Sequence, residues 1–198
     1  MRILFASPDR DLLECCKNLF ENDLGETVTA FDGTQVLSLL SSETFDAAVL
    51  DCDIPRIGYG RLIACLREKK IPVIALISEP VSVRRLTEEP PANAYLRYPF
   101  TYGRIKTVLL DVLEKASSEN RFAFCGLEIN VKEFKIGNGP YLTAEEIDVL
   151  QSLATGKRVS TESGVTVDSL NVKLAQTGSQ VRIGYVAKKG YETVNENE

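Results

Sequence analysis

The chain has 198 residues, of which 44% are hydrophobic and 26% are charged, a balance typical of an ordinary globular protein and not of a disordered or fibrous one. It contains no histidine, which excludes the commonest general base, the commonest zinc ligand and the Ser-His and Cys-His nucleophile pairs. The net charge is −5, so attraction to nucleic acid would have to come from a local basic patch.

The first part of the chain alternates short β-rich runs with stretches whose apolar residues recur at helical spacing. This alternation predicts an open α/β fold of five βα units, with a parallel sheet that helices cover on both faces. Residues 47–50 are continuously apolar, as in a strand buried on both faces, and the run ends at Asp51. The predicted strands are 3–6, 26–30, 47–50, 73–77 and 94–96, and the predicted helices are 9–22, 33–41, 61–68, 82–88 and 101–115.

A small, polar stretch then precedes a different pattern, which predicts a second domain. We expect a first domain over 1–116, a linker over 117–120 and a second domain over 121–198. Thr143 is a good N-cap, and Glu146 can complete a capping box with it, so a helix should begin there. The other elements predicted in this domain are strands over 122–125, 127–131 and 133–136, a turn at 137–139, a helix over 167–175 and a hairpin over 181–193.

The cysteines and the N-terminus predict a cellular compartment. The five cysteines form no C-x-x-C pair and have apolar neighbours, so we expect reduced, core-filling residues and no disulfide framework. No apolar run approaches the roughly 18 residues of a membrane helix, and the first ten residues lack the apolar core of a signal peptide. These features predict a cytoplasmic protein that makes no contact with membranes.

Several short motifs occur in an order that matches a known family. They are RILFASPDRDL, FDAAVLDCDIP, PVIALIS, AYLRYPF, FCGLEIN, LTAEE and KKGYE. The first domain resembles the CheY-like receiver domain of two-component response regulators. The whole chain resembles the OmpR/PhoB family, in which a receiver precedes a winged-helix DNA-binding domain. The resemblance implies a doubly wound (βα)5 receiver, a small α+β winged-helix domain, and a non-enzymatic role in a phosphorelay that controls transcription.

The resemblance also implies a phosphorylation site, and this chain departs from it. Asp51 stands at the phosphoacceptor position, at the carboxyl end of the third strand. Receivers offset the charge of the phosphoryl group with a magnesium ion, which carboxylates hold, and with a lysine. Here the acidic pair falls on Ser7 and Pro8, the hydroxyl position on Ile77 and the lysine position on Tyr98.

We therefore expect an atypical receiver that works without phosphorylation and without a cofactor. The positions Asp9, Asp51 and Asp53 would be the vestiges of a metal site, and Asp51 would be an unused phosphoacceptor equivalent. Family members form homodimers through the fourth helix, fifth strand and fifth helix, and this chain could pair in the same way. The charges available there are Arg84, Arg85, Arg97, Arg104, Glu88, Asp111 and Glu114.

The second domain departs from the resemblance as well. Only 23 residues separate Thr143 from Val167, which predicts that the family's intervening helix and loop are deleted. From Arg121 onward there are nine basic and ten acidic residues, a balance of −1 that favours weak DNA binding at best. The candidate DNA contacts are Asn171, Lys173, Arg182, Lys188 and Lys189.

Two functions remain open on the sequence alone. The chain could regulate transcription as a constitutive dimer whose two-fold symmetry compensates for a weak half-site on DNA. Alternatively, the shortened winged helix could be a protein-interaction module, and the chain an adaptor or antagonist with a protein partner in transcription.

Overall fold

A computed structural model of the chain describes residues 1–78, 91–118, 121–159, 164–187 and 189–195. The predicted helix over 82–88 lies outside the described residues. Contacts divide the chain into two compact units, one formed by residues 1–78 and 92–114 and the other by the chain from residue 115 onward. The predicted boundary at 116 and linker over 117–120 stay predictions. A single helix runs through residue 117, and residues 119 and 120 are not described.

The first unit is a five-stranded parallel sheet of order β2-β1-β3-β4-β5. The third and fourth strands are buried along their whole length, which explains why their sequences are continuously apolar. The strands are β1 (Arg2–Ala6), β2 (Glu26–Ala30), β3 (Ala47–Asp51), β4 (Val73–Ile77) and β5 (Ala94–Arg97), and the helices are α1 (Arg10–Asp23), α2 (Gly33–Ser42), α3 (Tyr59–Glu68) and α4 (Tyr102–Ser117). This is the predicted CheY-like arrangement, with Asp51 at the carboxyl edge of a central strand.

Local capping fixes where the first helices begin. The side chain of Asp9 accepts hydrogen bonds from the backbone N–H groups of Asp11 and Leu12, so Asp9 is the N-cap of α1 and not its first residue. The side chain of Asp32 caps α2 in the same way, by accepting from the N–H of Gln35. These caps set the chain direction immediately after β1 and β2, at the sheet edge where Asp51 lies.

The second unit combines short antiparallel strands with two described helices. Its elements are β6 (Arg121–Phe124), β7 (Leu127–Asn130), β8 (Lys135–Ile136), α5 (Ala144–Ala154), α6 (Gly164–Gln176), β9 (Val181–Val186) and β10 (Gly190–Asn195). The capping box predicted for α5 is present, with both the Thr143 and the Glu146 side chains bonded to backbone N–H groups. β6, β7 and β8 form one sheet, and β9 pairs with β10 in a hairpin.

The expectation for the cysteines is only partly correct. None of the five cysteines forms a disulfide, but Cys15 and Cys125 are exposed instead of filling a core. Adjacent residues of a helix point in different directions, so Cys16 takes the buried side of α1 and Cys15 cannot. Cys125 belongs to the turn between β6 and β7, where it and Gly126 have φ of 50° and 82°, and not to the predicted strand over 122–125. No helix of the described chain is both long enough and apolar enough to cross a membrane.

Candidate functional site

Asp51 is buried at the carboxyl end of β3 and accepts three hydrogen bonds. Its side chain is 5% exposed. The Ser7 and Tyr98 hydroxyls each donate to its Oδ2 at 3.0 Å, and the backbone N–H of Asp53 donates to its Oδ1 at 2.9 Å. Both carboxylate oxygens are thus engaged by uncharged donors, and we call these three residues and Asp51 the Asp51 cage.

Two strand ends deliver the hydroxyls of this cage. Ser7 directly follows β1, its backbone N–H bonds to the carbonyl of Ala30, and its Oγ also accepts from the N–H of Asp9 at 3.2 Å. Tyr98 directly follows β5, and its N–H donates to the carbonyl of Ile77 at 2.9 Å. In a parallel sheet the carboxyl ends of β1, β3 and β5 lie along the same edge, so these side chains converge on one carboxylate.

The surroundings of the cage keep Tyr98 protonated. Burial raises the pKa of Tyr98 well above its usual range, and the negative charge of Asp51 and the hydrogen bond to it act in the same direction. The Ser7 contact acts in the opposite direction and is the smaller effect. Tyr98 therefore remains a hydrogen-bond donor at neutral pH and contributes no positive charge to the site.

Lys173, which the sequence analysis names as a candidate DNA contact, is buried in the second unit. Lys173 on α6 is 1% exposed, and its Nζ lies 2.9 and 2.7 Å from the two carboxylate oxygens of Glu146. Ser169 donates to the same carboxylate at 2.6 Å. The assignment of Lys173 as a DNA contact is therefore wrong, because its ammonium group is committed to a buried ion pair.

Asn171 is also engaged within the fold. Its side-chain amide donates to the carbonyl of Ile183 at 2.9 Å and accepts from the N–H of Ile183 at 2.8 Å. This pair of bonds fastens α6 to β9. The proposed role of Asn171 as a base reader is corrected accordingly, because both of its hydrogen-bonding groups are used.

The outward face of α6 carries no basic side chain among the residues that the structure describes. Its exposed residues are Asp168, Val172, Ala175 and Gln176, and Val172 is 43% exposed. Of the candidate DNA contacts on the hairpin, Arg182 and Lys189 are exposed, and Lys188 lies outside the described residues.

Comparisons with known proteins agree with both halves of this fold. No family model matches the chain. Response regulator MprA of Mycolicibacterium vanbaalenii is 26% identical over 96% of this chain and 88% of its own length. Response regulator MprA of Mycobacterium avium is 25% identical over 96% of this chain and 89% of its own length. The chain is a homologue of OmpR/PhoB-type response regulators. Response regulators of OmpR/PhoB type regulate transcription.

Solved structures of response regulators show the same fold. A mutant of RitR matches 98% of this chain and 99% of its own, with a TM-score of 0.63 and 18% identity. DrrB, a Thermotoga maritima OmpR/PhoB homologue, matches 98% of this chain and 99% of its own, with a TM-score of 0.56 and 19% identity. The receiver domain of Francisella response regulator 1452 covers 59% of this chain, with a TM-score of 0.53 and 24% identity. The predicted fold class, a CheY-like receiver followed by a winged-helix domain, is confirmed.

A magnesium ion, which response regulators of this type use, does not fit the residues of this homologue. Pro8 brings no oxygen ligand, and the carboxylate of Asp9 caps α1. No group of three acidic, cysteine or histidine side chains among the described residues could hold a metal. The Ser7 and Tyr98 hydroxyls already donate to the Asp51 oxygen Oδ2.

One contact beside the cage was not predicted from the sequence. Ile77 stands at the position where the resemblance implies a hydroxyl residue. It is the last residue of β4, is 3% exposed and belongs to the hydrophobic core. The next residue, Ser78, donates through its Oγ to Asp53 Oδ2 at 2.7 Å. Ser78 therefore binds the neighbouring aspartate instead of Asp51. The sequence carried the signal as a serine directly after a buried strand, but it could not say which carboxylate the serine would face.

Proposed function

We propose that this protein is a cytoplasmic, non-enzymatic transcription regulator that acts as a dimer and does not require phosphorylation of Asp51. The Asp51 cage carries the proposal. The Asp51 oxygens accept hydrogen bonds from the hydroxyls of Ser7 and Tyr98 and from a backbone N–H.

Phosphoryl transfer to Asp51 is opposed by electrostatics. A phosphoryl group brings about two negative charges, and a buried carboxylate accepts it only where cations offset the repulsion. The cage supplies dipoles but no cation, because Tyr98 stands at the lysine position and is neutral. A phosphoryl group transferred to Oδ2 would also have to displace two hydroxyl donors from that oxygen. The regulatory state therefore has to be populated without modification.

The dimer would form through the surface around β5 and α4. β5 is an edge strand of the sheet, and Arg97 at its end is exposed. On α4, Leu110 is 44% exposed, one of the larger apolar side chains of this unit that remain open to solvent. A two-fold axis would bring the same surface of a second copy against it, so that apolar and charged groups meet reciprocally.

Sedimentation velocity of the untreated chain tests the dimer. We expect a dimer at tens of micromolar protein, and Leu110→Asp should shift the population to monomer, because it places two like charges at the pairing surface. Phe31→Asp is the matched control, since Phe31 is 38% exposed and directly follows β2, the strand at the opposite edge of the sheet from β5. A monomer at high micromolar concentration, or equal dissociation by both variants, would contradict the proposal.

A second candidate function is an adaptor whose winged helix binds protein instead of DNA. The face of α6 formed by Asp168, Val172, Ala175 and Gln176 favours it, because that face offers no cation to DNA phosphates. Gel shifts of the full chain against genomic fragments over a salt series separate the two functions. Binding that persists at low salt and weakens steeply with salt supports the DNA regulator, whereas no binding at any salt supports the adaptor.

A further inference from the structure

The turn that follows β8 carries the only Asn-Gly pair of the chain. The turn consists of Gly137, Asn138 and Gly139, and all three residues are exposed. An asparagine loses its side-chain amide most readily when glycine follows it, because glycine has no side chain to hinder attack of its backbone nitrogen on the asparagine Cγ. The sequence therefore places the most labile kind of asparagine at an exposed turn of the second unit.

The structure shows why glycine has to follow Asn138. Gly137 has φ of 53°, and the N–H of Gly139 donates to the carbonyl of Ile136 at 2.8 Å, which closes a tight turn. A Cβ atom at Gly139 would lie 3.1 Å from that carbonyl oxygen and 3.4 Å from Cγ2 of Thr177. A larger residue at position 139 would crowd both atoms, so the fold itself keeps the reactive pair together.

The side chain of Asn138 is available for reaction. Within the described part of the chain its amide makes no hydrogen bond. Asn93 and Asn171, by contrast, are held by bonds to the backbone of Val73 and Ile183. The bond from Gly139 to Ile136 has to open before the Gly139 nitrogen can react, and exposed turns open locally at little cost.

We propose that Asn138 is a site of spontaneous deamidation, and that isoaspartate formed there disrupts the turn. The backbone nitrogen of Gly139 loses its proton to solvent base and attacks Cγ of Asn138. The new C–N bond closes a succinimide, and the side-chain nitrogen takes up a proton and leaves as ammonia. Water then opens the ring at one of its two carbonyls, which yields aspartate or isoaspartate. This inference is independent of the proposed function.

Isoaspartate at this position changes the turn more than aspartate does. It inserts an additional carbon into the backbone, which moves Gly139 away from the Ile136 carbonyl and toward Thr177. Thr177 directly follows α6, and its Oγ1 donates to the carbonyl of Leu174 at 2.7 Å. The end of α6 therefore lies next to the modified bond. Aspartate adds a negative charge but keeps the backbone length.

Peptide mass spectrometry of the full chain, aged in mildly alkaline buffer and then digested with trypsin, tests the proposal. Cleavage after Lys135 and Lys157 releases fragment 136–157, in which Asn138 is the only asparagine. This fragment should gain the mass difference between an amide and an acid, whereas Asn138→Gln should not change, because glutamine closes its larger ring far more slowly. Fragment 18–56 is the internal control, since its two asparagines precede Leu19 and Asp23.

The melting temperature tests the effect on the turn. Ion exchange separates the aged, deamidated fraction, and Asn138→Asp is its charge-matched control with a normal backbone. The loss of the Gly139–Ile136 hydrogen bond should lower the Tm of the deamidated fraction by about 4–8 °C relative to Asn138→Asp.

The same experiments can overturn both parts of the proposal. A chain unfolded in urea and aged in the same buffer shows that the chemistry proceeds. If fragment 136–157 stays unmodified in the folded chain, the turn protects Asn138 and the proposed site is wrong. If the deamidated fraction and Asn138→Asp melt at the same temperature, isoaspartate does not disrupt the turn.

Discussion

At the scale of single residues, Tyr98 determines what the Asp51 position can do. Its hydroxyl reaches Asp51 Oδ2 at 3.0 Å from a position where the resemblance implies a lysine. A lysine would bring a mobile positive charge that could follow a phosphate oxygen. A tyrosine brings a rigid dipole, which stabilises the carboxylate as it stands. The Tyr98 hydroxyl is thus a structural hydrogen-bond donor, and its contribution can be measured as a change in the free energy of unfolding.

Tyr98→Phe should destabilise the protein. The change removes one donor from a buried carboxylate without opening a large cavity, and we expect the free energy of unfolding to fall by about 1–3 kcal/mol. Urea denaturation at neutral pH measures the change. Tyr185→Phe is the control, because Tyr185 is 58% exposed, and we expect its effect to stay within about 0.5 kcal/mol. Equal stabilities of the two variants would show that the Tyr98–Asp51 bond contributes nothing.

The raised pKa of Tyr98 predicts a pH dependence of stability. In the unfolded chain tyrosine ionises near its usual pKa of about 10, whereas folded Tyr98 stays protonated, so above that pH the unfolded state binds fewer protons and stability falls as pH rises. Tyr102, whose pKa is raised to about 12 by burial and by Asp23, adds to the same fall. Tyr98→Phe should flatten the decline of unfolding free energy above about pH 10 more than Tyr185→Phe does. An unchanged slope would contradict the environment described for Tyr98.

At the scale of secondary structure elements, α6 shows how far the sequence could predict function. The sequence predicts a helix over 167–175, and the family resemblance led us to interpret its basic residue as a contact for DNA. That interpretation failed because the presence of a lysine on a helix does not say whether its side chain faces solvent or the core. Lys173 lies three residues after the buried Leu170 and therefore on the same side of the helix.

Lys173→Ala should unfold the second unit before it changes DNA affinity. It leaves the Glu146 carboxylate buried with its hydroxyl and backbone donors but without its cation, at a cost of about 3–5 kcal/mol. Thermal unfolding should show a lower Tm. Lys173→Met keeps the length and apolar stem of the side chain, and the double variant E146Q/K173M should recover part of the loss, because it removes both charges. No recovery in the double variant would mean that the ion pair is not what holds α6.

Other elements were predictable because one physical rule dominated each. The strands β3 and β4 are buried on both faces and were continuously apolar, and the start of α5 followed from a capping box. The Asp51 cage was only half predictable. The replacements at Ser7 and Tyr98 were visible in sequence, but their convergence on one oxygen depends on the ends of β1, β3 and β5 lying together.

At the scale of the whole molecule, this response-regulator homologue keeps the fold of a receiver and a winged helix, but among the described residues neither the Asp51 cage nor the outward face of α6 carries a cation. The receiver holds its central aspartate with hydroxyls, and α6 holds its lysine in a buried ion pair. Regulation would then depend on concentration and on partners more than on a chemical signal at Asp51.

The most direct test of this account is the intact mass of the full chain after incubation with magnesium and a small phosphodonor such as acetyl phosphate. Because the Asp51 cage fills both carboxylate oxygens and supplies no cation, we predict that the mass stays that of the unmodified chain. A conventional receiver treated in parallel shows that the donor is active. A stoichiometric phosphoryl adduct that appears on the wild type and disappears in Asp51→Ala would contradict the account.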